Sequence, residues 1–249
     1  MTQFNSLENE DVNAAVSDGR QVRDHGPYQI LIGNDALQFR PVVIEDPVPT
    51  GEQILKAGDL QPVDDYLLYQ YLKSGLLELL NPAETTDLRS AGVEKFLAFK
   101  SDRSFRFFIN NQAQDWGGPC ISGLTLKKLA NANVEHNDVY LVVVGGEDEL
   151  IKDRDLFDLT RPGVEHFATA EINITIYVNT VPKVVHVHYL SYWDVVRLEF
   201  PEACSGPNSQ YTVTYSRGHG DPSLKNLVDG QFLQTKQGMH INVTPTDKS

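Results

Sequence analysis

Two stretches of this chain read Asp87-Leu-Arg-Ser-Ala-Gly-Val-Glu-Lys-Phe96 and Asp158-Leu-Thr-Arg-Pro-Gly-Val-Glu-His-Phe167. They share the frame D-L-x-x-x-G-V-E-x-F, with six identities in ten positions, and they begin 71 residues apart. A second pair at nearly the same spacing is Thr50-Gly51-x-x-Ile54 and Ser122-Gly123-x-x-Leu126. Self-similarity at a fixed spacing is the signature of a repeated structural unit. The chain is therefore predicted to contain tandem domains.

Each unit shows the same order of predicted elements. A short apolar run closed by a turn-forming residue predicts a strand that enters a hairpin. These runs are Ile30-Leu-Ile-Gly-Asn34, Phe107-Phe-Ile-Asn-Asn111 and Ile176-Tyr-Val-Asn179. A helix is predicted next, because Thr50 with Gln53 matches a capping box and Ser191 with Asp194 is a close relative of one. The closing strands are predicted at Val93–Phe99, Val164–Ala168 and His240–Val243.

Strand, strand, helix, strand, strand is the order of the β-grasp fold, in which one helix covers one face of a mixed sheet. The predicted fold class is α+β, with three tandem β-grasp domains at 27–102, 103–170 and 171–249. The third domain would end in a tail at 244–249. Residues 1–26 are polar and show no clear period, which predicts a flexible N-terminal arm that could order on a partner.

The composition excludes several classes of protein. Acidic residues outnumber basic ones by 34 to 21, for a net charge of −13. Such a surface repels phosphates, so no nucleic-acid partner is expected. No membrane span is expected, because no run of about 18 apolar residues occurs, and no secretory signal is evident. Cys120 and Cys204 lack a CxxC motif and fit buried thiols, so a cytoplasmic location is predicted.

These motifs resemble the bacterial multiubiquitin family. The resemblance rests on the D-L-x-x-x-G-V-E-x-F closures, the [TS]-G-x-x-[IL] helix starts and the stretch Gly238-Met-His-Ile-Asn-Val-Thr-Pro-Thr-Asp-Lys-Ser249. The third unit adds Leu190-Ser-Tyr-Trp-Asp-Val-Val, Tyr211-Thr-Val-Thr-Tyr-Ser-Arg-Gly218 and Leu227-Val-Asp-Gly230. The resemblance covers residues 28–249 and leaves out the arm.

The resemblance implies ubiquitin-like domains without a catalytic site, so the protein is not expected to be an enzyme. It is similar to proteins encoded beside an E1-like activating enzyme, an E2-like conjugating enzyme and a JAB-type metallopeptidase, in systems linked to antiviral defence. ATP and zinc would belong to those partners, so no cofactor is expected on this chain. Some proteins of this kind assemble into filaments.

Two functions are compatible with this reasoning. In the first, the chain is a protein modifier that is conjugated to targets by its partner enzymes. In the second, it is a structural protein whose tandem domains self-assemble into oligomers or filaments without covalent transfer. Short edge strands in units 1 and 3 would provide the contact, and a repeated head-to-tail contact gives an open fibre.

The candidate residues for conjugation are Thr244, Pro245, Thr246, Asp247, Lys248 and Ser249. Pairing is predicted to end near Val243, because Pro245 has no amide hydrogen and biases Thr244 away from helix. Ser249 would offer its carboxylate for adenylation, with Asp247 and Lys248 read by the enzyme. Ubiquitin ends in Gly-Gly instead, so either the partner enzymes accept a larger residue or the tail is trimmed or replaced in function. A frayed end without function is the alternative.

Two glycine pairs are interpreted as turns, and two histidines as surface residues. Gly117-Gly118 and Gly145-Gly146 are predicted to form hairpin turns with positive φ rather than cleavage sites. His186 and His188 are predicted to share one face of a strand, where they could bind a metal, but no third ligand is evident. Nothing in the sequence places His219 near them, so surface histidines are the preferred interpretation.

No catalytic arrangement is predicted. Cys204 and Ser205 lack a positioned base, and no Walker, GxSxG or HExxH motif occurs. Cys204 is therefore interpreted as a packing residue. Trp116 and Trp193 are predicted core positions, and Trp193 shares one helical face with Val196 and Phe200.

Overall fold

The structure is a computed structural model that describes residues 9–90, 93–206, 210–220 and 223–246. Within these residues the same arrangement of strands around one helix occurs three times. The fold class is α+β, and the chain consists of three tandem β-grasp domains, as the repeat predicts. The exact boundaries near residues 103 and 171 stay predictions.

The first domain is a mixed sheet covered on one face by a helix. Its elements in chain order are β1 (Glu10–Asp11), α1 (Val12–Ser17), β2 (Tyr28–Gly33), β3 (Phe39–Ile44), α2 (Gly51–Ala57), a 3-10 turn (Val63–Asp65), β4 (Tyr66–Tyr71), β5 (Leu77–Leu79) and β6 (Lys95–Lys100). Five of its six strands lie in the order β3-β2-β6-β4-β5, and β1 also pairs with β2. The closing strand β6 lies between β2, to which it is parallel, and β4, to which it is antiparallel.

The second domain repeats this sheet and adds a short strand pair. Its elements are β7 (Phe105–Ile109), β8 (Gln112–Trp116), β9 (Cys120–Ser122), α3 (Gly123–Leu129), β10 (Asn137–Leu141), β11 (Glu149–Ile151), β12 (Leu156–Asp158) and β13 (Glu165–Glu171). The strand order is β8-β7-β13-β10-β11, and β9 pairs with β12.

The third domain has the same topology as the second. Its elements are β14 (Ile174–Val178), β15 (Val181–Val185), β16 (Tyr189–Ser191), α4 (Tyr192–Glu199), β17 (Tyr211–Ser216), β18 (Lys225–Leu227), β19 (Phe232–Gln234) and β20 (His240–Pro245). The strand order is β15-β14-β20-β17-β18, and β16 pairs with β19. The closing strand is therefore central in all three sheets.

The repeated motif consists largely of core contacts. Leu88 and Phe96 of the first copy have no exposed surface, and Leu159 and Phe167 of the second are also buried. Each leucine precedes its closing strand and each phenylalanine lies on it, so the motif fastens this strand to the core. Burial of a large apolar side chain contributes about 1.5–3 kcal/mol. That contribution explains why these positions carry the same residues in both units.

The helices are short and begin where the capping residues predict. Thr50 and Gln53 form a full capping box at α2, and Ser191 and Asp194 form one at α4. At the first position of α2, a Cβ on Gly51 would come within 2.6 Å of the Asn81 carbonyl oxygen, so glycine is required by the close approach of the loop after β5. None of the helices among the described residues is long and apolar enough to cross a membrane.

Residues 9–26 correct the prediction of a flexible N-terminal arm. β1 runs parallel to β2, and Val12 and Ala15 of α1 have no exposed surface in the core of the first domain. Glu10 is buried and accepts hydrogen bonds from Arg20 Nη1 at 2.5 Å and Arg23 Nε at 2.6 Å. Because the segment is mostly polar, its few apolar side chains at helical spacing were too sparse to predict a helix. Residues 1–8 of the predicted arm lie outside the described residues.

The first and second domains form one compact unit, and the third domain forms another together with Asn133–Asp138. Within the first unit a continuous apolar core joins the two domains. Phe99 of β6 packs edge-on against Trp116 of β8, with ring centroids 4.6 Å apart. Gln114 is buried and bonds the β4–β5 hairpin, because its Nε2 donates to Gly75 O at 3.0 Å and its Oε1 accepts from Leu77 N at 3.2 Å.

The two glycine pairs have different roles. Gly145 has a φ of +76° in the turn between β10 and β11, which confirms the predicted hairpin turn there. The prediction is wrong for Gly117-Gly118, since neither residue has a positive φ. A Cβ on Gly117 would lie 2.5 Å from the ring of Phe99, so the missing side chain makes room for the first domain.

Candidate functional site at the carboxyl-terminal strand

Strand β20 occupies the centre of the third sheet. It runs parallel to β14 and antiparallel to β17, the place that β6 and β13 occupy in the other domains. Ile241 and Val243 are buried in the core, and His240, Asn242 and Thr244 alternate with them on the opposite face. Pairing on both sides fixes where the chain leaves the domain.

Asn179 extends the parallel ladder with its side chain. Its backbone N–H donates to Ile241 O, its Nδ2 donates to Val243 O and its Oδ1 accepts from Val243 N, each at 2.9 Å. The residue has a φ of +47°, a left-handed conformation that asparagine adopts more readily than most residues. The side-chain amide of Asn179 therefore takes the place of one further backbone pairing between β14 and β20, and it holds Val243 in register.

The second domain contains the same clamp. Asn110 N donates to Phe167 O and Asn110 Oδ1 accepts from Thr169 N, both at 2.9 Å, with a φ of +51° at Asn110. An asparagine after an apolar run predicts a turn, which the structure has, but it does not by itself predict this contact. Its recurrence in two units is the signal that could have revealed it.

The structure shortens the predicted tail. Thr244 and Pro245 belong to β20, with Pro245 opposite Tyr211, and Thr246 N donates to Gln210 O at 2.8 Å. Pairing was predicted to end near Val243, and the structure extends the strand by two residues into the predicted tail. A proline at the end of a strand costs only one donor of the ladder, and its carbonyl remains available. Asp247, Lys248 and Ser249 lie outside the described residues.

A groove of about 650 Å³ lies beside the end of β20. Its lining includes Trp193, Ser205, Tyr211, Leu227 and Thr246. Trp193 is only partly buried, which corrects its prediction as a core residue. The helix is rotated so that its neighbours, rather than Trp193 itself, face the core. The indole instead contacts Tyr211 edge-on, with centroids 6.2 Å apart, and so forms a wall of the groove.

Tyr192 is the aromatic anchor of this helix. It is buried together with Val195 and Val196, as predicted for Val196, whereas Phe200 lies beyond the last helical residue and is partly buried. The Tyr192 hydroxyl donates to Tyr211 O at 2.7 Å and accepts from Tyr211 N at 3.2 Å. Burial raises the pKa of Tyr192, so the hydroxyl stays protonated and able to donate at neutral pH.

The three candidate metal ligands do not converge. His186 and His188 follow the end of β15 rather than lying on it. Within the second compact unit, His186 Nδ1 is 2.8 Å from Ile172 O, and His188 Nε2 is 2.9 Å from Asp138 Oδ2. His219 Nε2 is 2.9 Å from Thr235 O. Among the described residues, no group of three or more His, Cys, Asp or Glu side chains is placed to hold a metal ion.

The cysteine prediction is also corrected. Cys204 is exposed and not packed in a core, because α4 ends before it and the chain turns outward. Its Sγ lies 3.6 Å from Glu202 O. Cys120 is partly buried on β9. Trp116, in contrast, has no exposed surface, so its prediction as a core residue is confirmed.

Comparison with known proteins identifies the family. The family model for multiubiquitin matches residues 36–101 and 105–172, which together make up more than half of the chain. The chain belongs to the multiubiquitin family. A search of curated proteins found no match.

The third domain of this multiubiquitin protein lies outside the two matched segments, although it has the same strand order. Its closing strand departs from the repeated motif. Ile241 stands where the other domains have Phe96 and Phe167, as the pairing with β14, β2 and β7 shows. Gly238 likewise takes the place of the motif valine. The topology persists because Ile241 fills the same buried position.

Proposed function

We propose that this ubiquitin-like protein is a non-enzymatic modifier, activated at its C-terminus by an E1-like enzyme and passed to an E2-like enzyme. A JAB-type metallopeptidase would remove it, and the system would serve antiviral defence. The observation that carries the proposal is the geometry of β20. A strand clamped in the centre of the sheet delivers the chain end to a fixed point, as a reactive terminus requires.

Thr246 N makes the last described backbone hydrogen bond, to Gln210 O at 2.8 Å. Thr246 also lines the groove beside Trp193. An activating enzyme that binds the residues after Thr246 would therefore meet this groove.

The proposed chemistry follows the usual order for carboxyl activation. A carboxylate oxygen of Ser249 attacks the α-phosphate of ATP and pyrophosphate leaves. A cysteine thiol of the activating enzyme then attacks the acyl adenylate, forming a thioester and releasing AMP. ATP and any zinc are held by the partners, and this chain contributes the carboxylate and the surface that orients it.

The test compares two truncations by intact-mass analysis after incubation with the cognate E1-like and E2-like enzymes and ATP. Removing 247–249 leaves β20 and the hydrogen bond from Thr246 N to Gln210 O in place, so the melting temperature should stay within about 2 °C while the ATP-dependent adduct disappears. Removing 244–249 should also lower the melting temperature, because paired residues of β20 are lost. An adduct that persists after removal of 247–249, or that never forms with the intact chain, contradicts the modifier function.

A structural role is the second candidate, and the edges of the third sheet favour it. β15 and β18 each pair on one side only within the described sheet, and Val181 and Val184 on β15 are exposed. Such edges accept a strand from a neighbour. Light scattering over a wide concentration range tests the idea. A mass of one chain throughout would exclude assembly, whereas a mass rising with concentration that falls on Val184→Lys would support it.

A further inference from the structure

The first residue of the domain helix differs between the three domains. It is Gly51 in α2 and Gly123 in α3, whereas α4 begins with Tyr192. In the first two domains the loop after the edge strand lies against this residue, since a Cβ would be 2.6 Å from Asn81 O in one and 2.3 Å from Lys152 O in the other. A tyrosine does not fit beneath a loop at that distance, so the corresponding loop of the third domain has to lie further from its helix.

The hydrogen bonds between loop and helix differ in the same way. In the first domain the second helical residue, Glu52, donates its N–H to Pro82 O at 2.9 Å, and in the second domain Leu124 N donates to Asp153 O at 3.1 Å. The described hydrogen bonds of the third domain include none from the matching residue, Trp193, to the loop after β18. The loop and the start of the helix are therefore apart at the position where the other two domains join them.

The groove of about 650 Å³ lies in this gap. Residues 192–193 at the start of α4 line one side of it, and residues 228–229 of the loop after β18 line another. Val213 and Leu227, which belong to the core of the third domain, also line it. The groove therefore opens between the helix and the loop, on the side of the sheet that the helix covers.

Three aromatic rings form one wall of the groove. The Tyr192 hydroxyl is bonded to both backbone groups of Tyr211, at 2.7 and 3.2 Å, so the two tyrosines are fixed to each other. The indole of Trp193 lies nearly perpendicular to both rings, with centroids 5.2 Å from Tyr192 and 6.2 Å from Tyr211. Trp193 is only partly buried, so part of its ring surface is available to a ligand.

The groove carries a single negative charge. Among the described residues that line it, Asp229 is the only charged one. Its Oδ1 accepts from Gly230 N at 2.8 Å, and the side chain is exposed. Burial is the main cause of the raised pKa of Tyr192, and the charge of Asp229 raises that pKa further. The carboxylate is therefore close enough to act on the aromatic wall, and this combination favours a cationic side chain.

We propose that this groove binds an arginine side chain of a partner protein. The guanidinium group stacks on the indole of Trp193 and pairs with the Asp229 carboxylate. Arginine fits better than lysine, because its planar group is weakly hydrated and stacks on aromatic faces. The net charge of −13 on the chain helps to attract a basic partner surface. The contact does not use residues 247–249, so it can be tested without ATP or any conjugating enzyme.

The experiment uses the full-length protein labelled with 15N and three synthetic pentapeptides that differ only at the central residue. That residue is arginine, lysine or citrulline, which has the shape of arginine without its charge. The arginine peptide should shift the amide signals of residues 192–193 and 226–229 in a saturable manner, and its affinity should fall as salt rises. The citrulline peptide should bind at least tenfold more weakly, and the lysine peptide at least threefold more weakly.

Two variants and a matched control locate the site. Asp229→Asn and Trp193→Leu should each weaken the arginine peptide at least fivefold, and Asp229→Asn should also remove most of the salt dependence. Asparagine at 229 can still accept from Gly230 N, so the loop should keep its conformation. Glu171→Gln removes the same charge from an exposed residue that does not line the groove, so it should leave the affinity unchanged.

Several results would overturn the proposal. These are equal binding of the arginine and citrulline peptides, a lysine peptide that binds as tightly as the arginine peptide, shifts confined to other residues, and no saturable shifts. Light scattering tests the alternative that a second copy of the chain fills the groove. An oligomer of the intact protein that Trp193→Leu converts to a single chain would show that occupant, and would overturn the proposal as well.

Discussion

Replacing Asn179 by alanine tests the clamp on the carboxyl-terminal strand. The side chain makes two hydrogen bonds of 2.9 Å to the backbone of Val243, and each is expected to contribute about 0.5–1.5 kcal/mol. Alanine also adopts the φ of +47° less readily, at a cost of about 1 kcal/mol. Together the substitution should destabilise the third domain by about 2–4 kcal/mol.

Thermal unfolding and native-state amide exchange measure this loss. A change of 1 kcal/mol moves the melting temperature of a domain of this size by about 4–8 °C, so Asn179→Ala should lower it by roughly 8 °C or more. The Val243 amide loses its acceptor on Asn179, so it should exchange faster than in the unmodified protein. The amides of β6 in the first domain should exchange unchanged.

The Asn179→Gly variant separates the two contributions. Glycine adopts positive φ without a steric cost, so only the two hydrogen bonds are lost and the expected destabilisation falls to about 1–3 kcal/mol. If Asn179→Ala melts within about 1 °C of the unmodified protein and the Val243 amide exchanges no faster, the clamp contributes nothing and the reasoning is refuted.

Two further predictions concern the first compact unit. Gly117→Ala should destabilise it by about 1–3 kcal/mol in urea unfolding, because the new methyl group overlaps the Phe99 ring, whereas Gly218→Ala, whose Cβ would meet only ordinary contacts from 3.4 Å outward, should be nearly neutral. Desolvation of the Glu10 carboxylate opposes its charge, but the hydrogen bonds from its two arginines outweigh it and lower the pKa of Glu10. The stability that Glu10 contributes is then fully present above the ordinary glutamate pKa of about 4.3, and it is lost as the pH falls through the lower pKa of the folded state. Urea unfolding should therefore show Glu10→Gln less stable than the unmodified protein at pH 7 and equally stable near pH 2. A difference in stability that stays constant across pH contradicts this cause.

The fold was predictable because its decisive residues act locally and repeat. Leu88 and Phe96 recur at a fixed spacing, and both copies are buried. Thr50 with Gln53 predicts a helix start within four residues of sequence, and the box is formed. Signals of this kind need no knowledge of distant contacts. Three tandem domains of one topology follow from them.

The features that were predicted wrongly depend on contacts with residues far away in the sequence. Thr246 is held by Gln210, and β1 is held by β2 across the intervening helix and loop. Gly117 is explained by Phe99 of the preceding domain. Trp193 was predicted to face the core because it lies at helical spacing from Val196 and Phe200. In a helix of two turns, Val196 can be buried together with Trp193 or together with Tyr192, and the sequence pattern does not distinguish the two orientations. Only the tertiary partners decide between such alternatives.

The closing strand connects the repeat to the proposed function. In the first two domains this strand is followed within a few residues by the first strand of the next domain, at Phe105 and Ile174. In the third domain the same central strand runs to Pro245, and Thr246 N continues its pairing by donating to Gln210 O. The third domain also loses the motif phenylalanine yet keeps the asparagine clamp, which the first domain lacks because Gly33 stands there. The two domains that carry the clamp thus hold the chain two residues beyond the buried residue of the closing strand, at Thr169 in the second domain and at Val243 in the third.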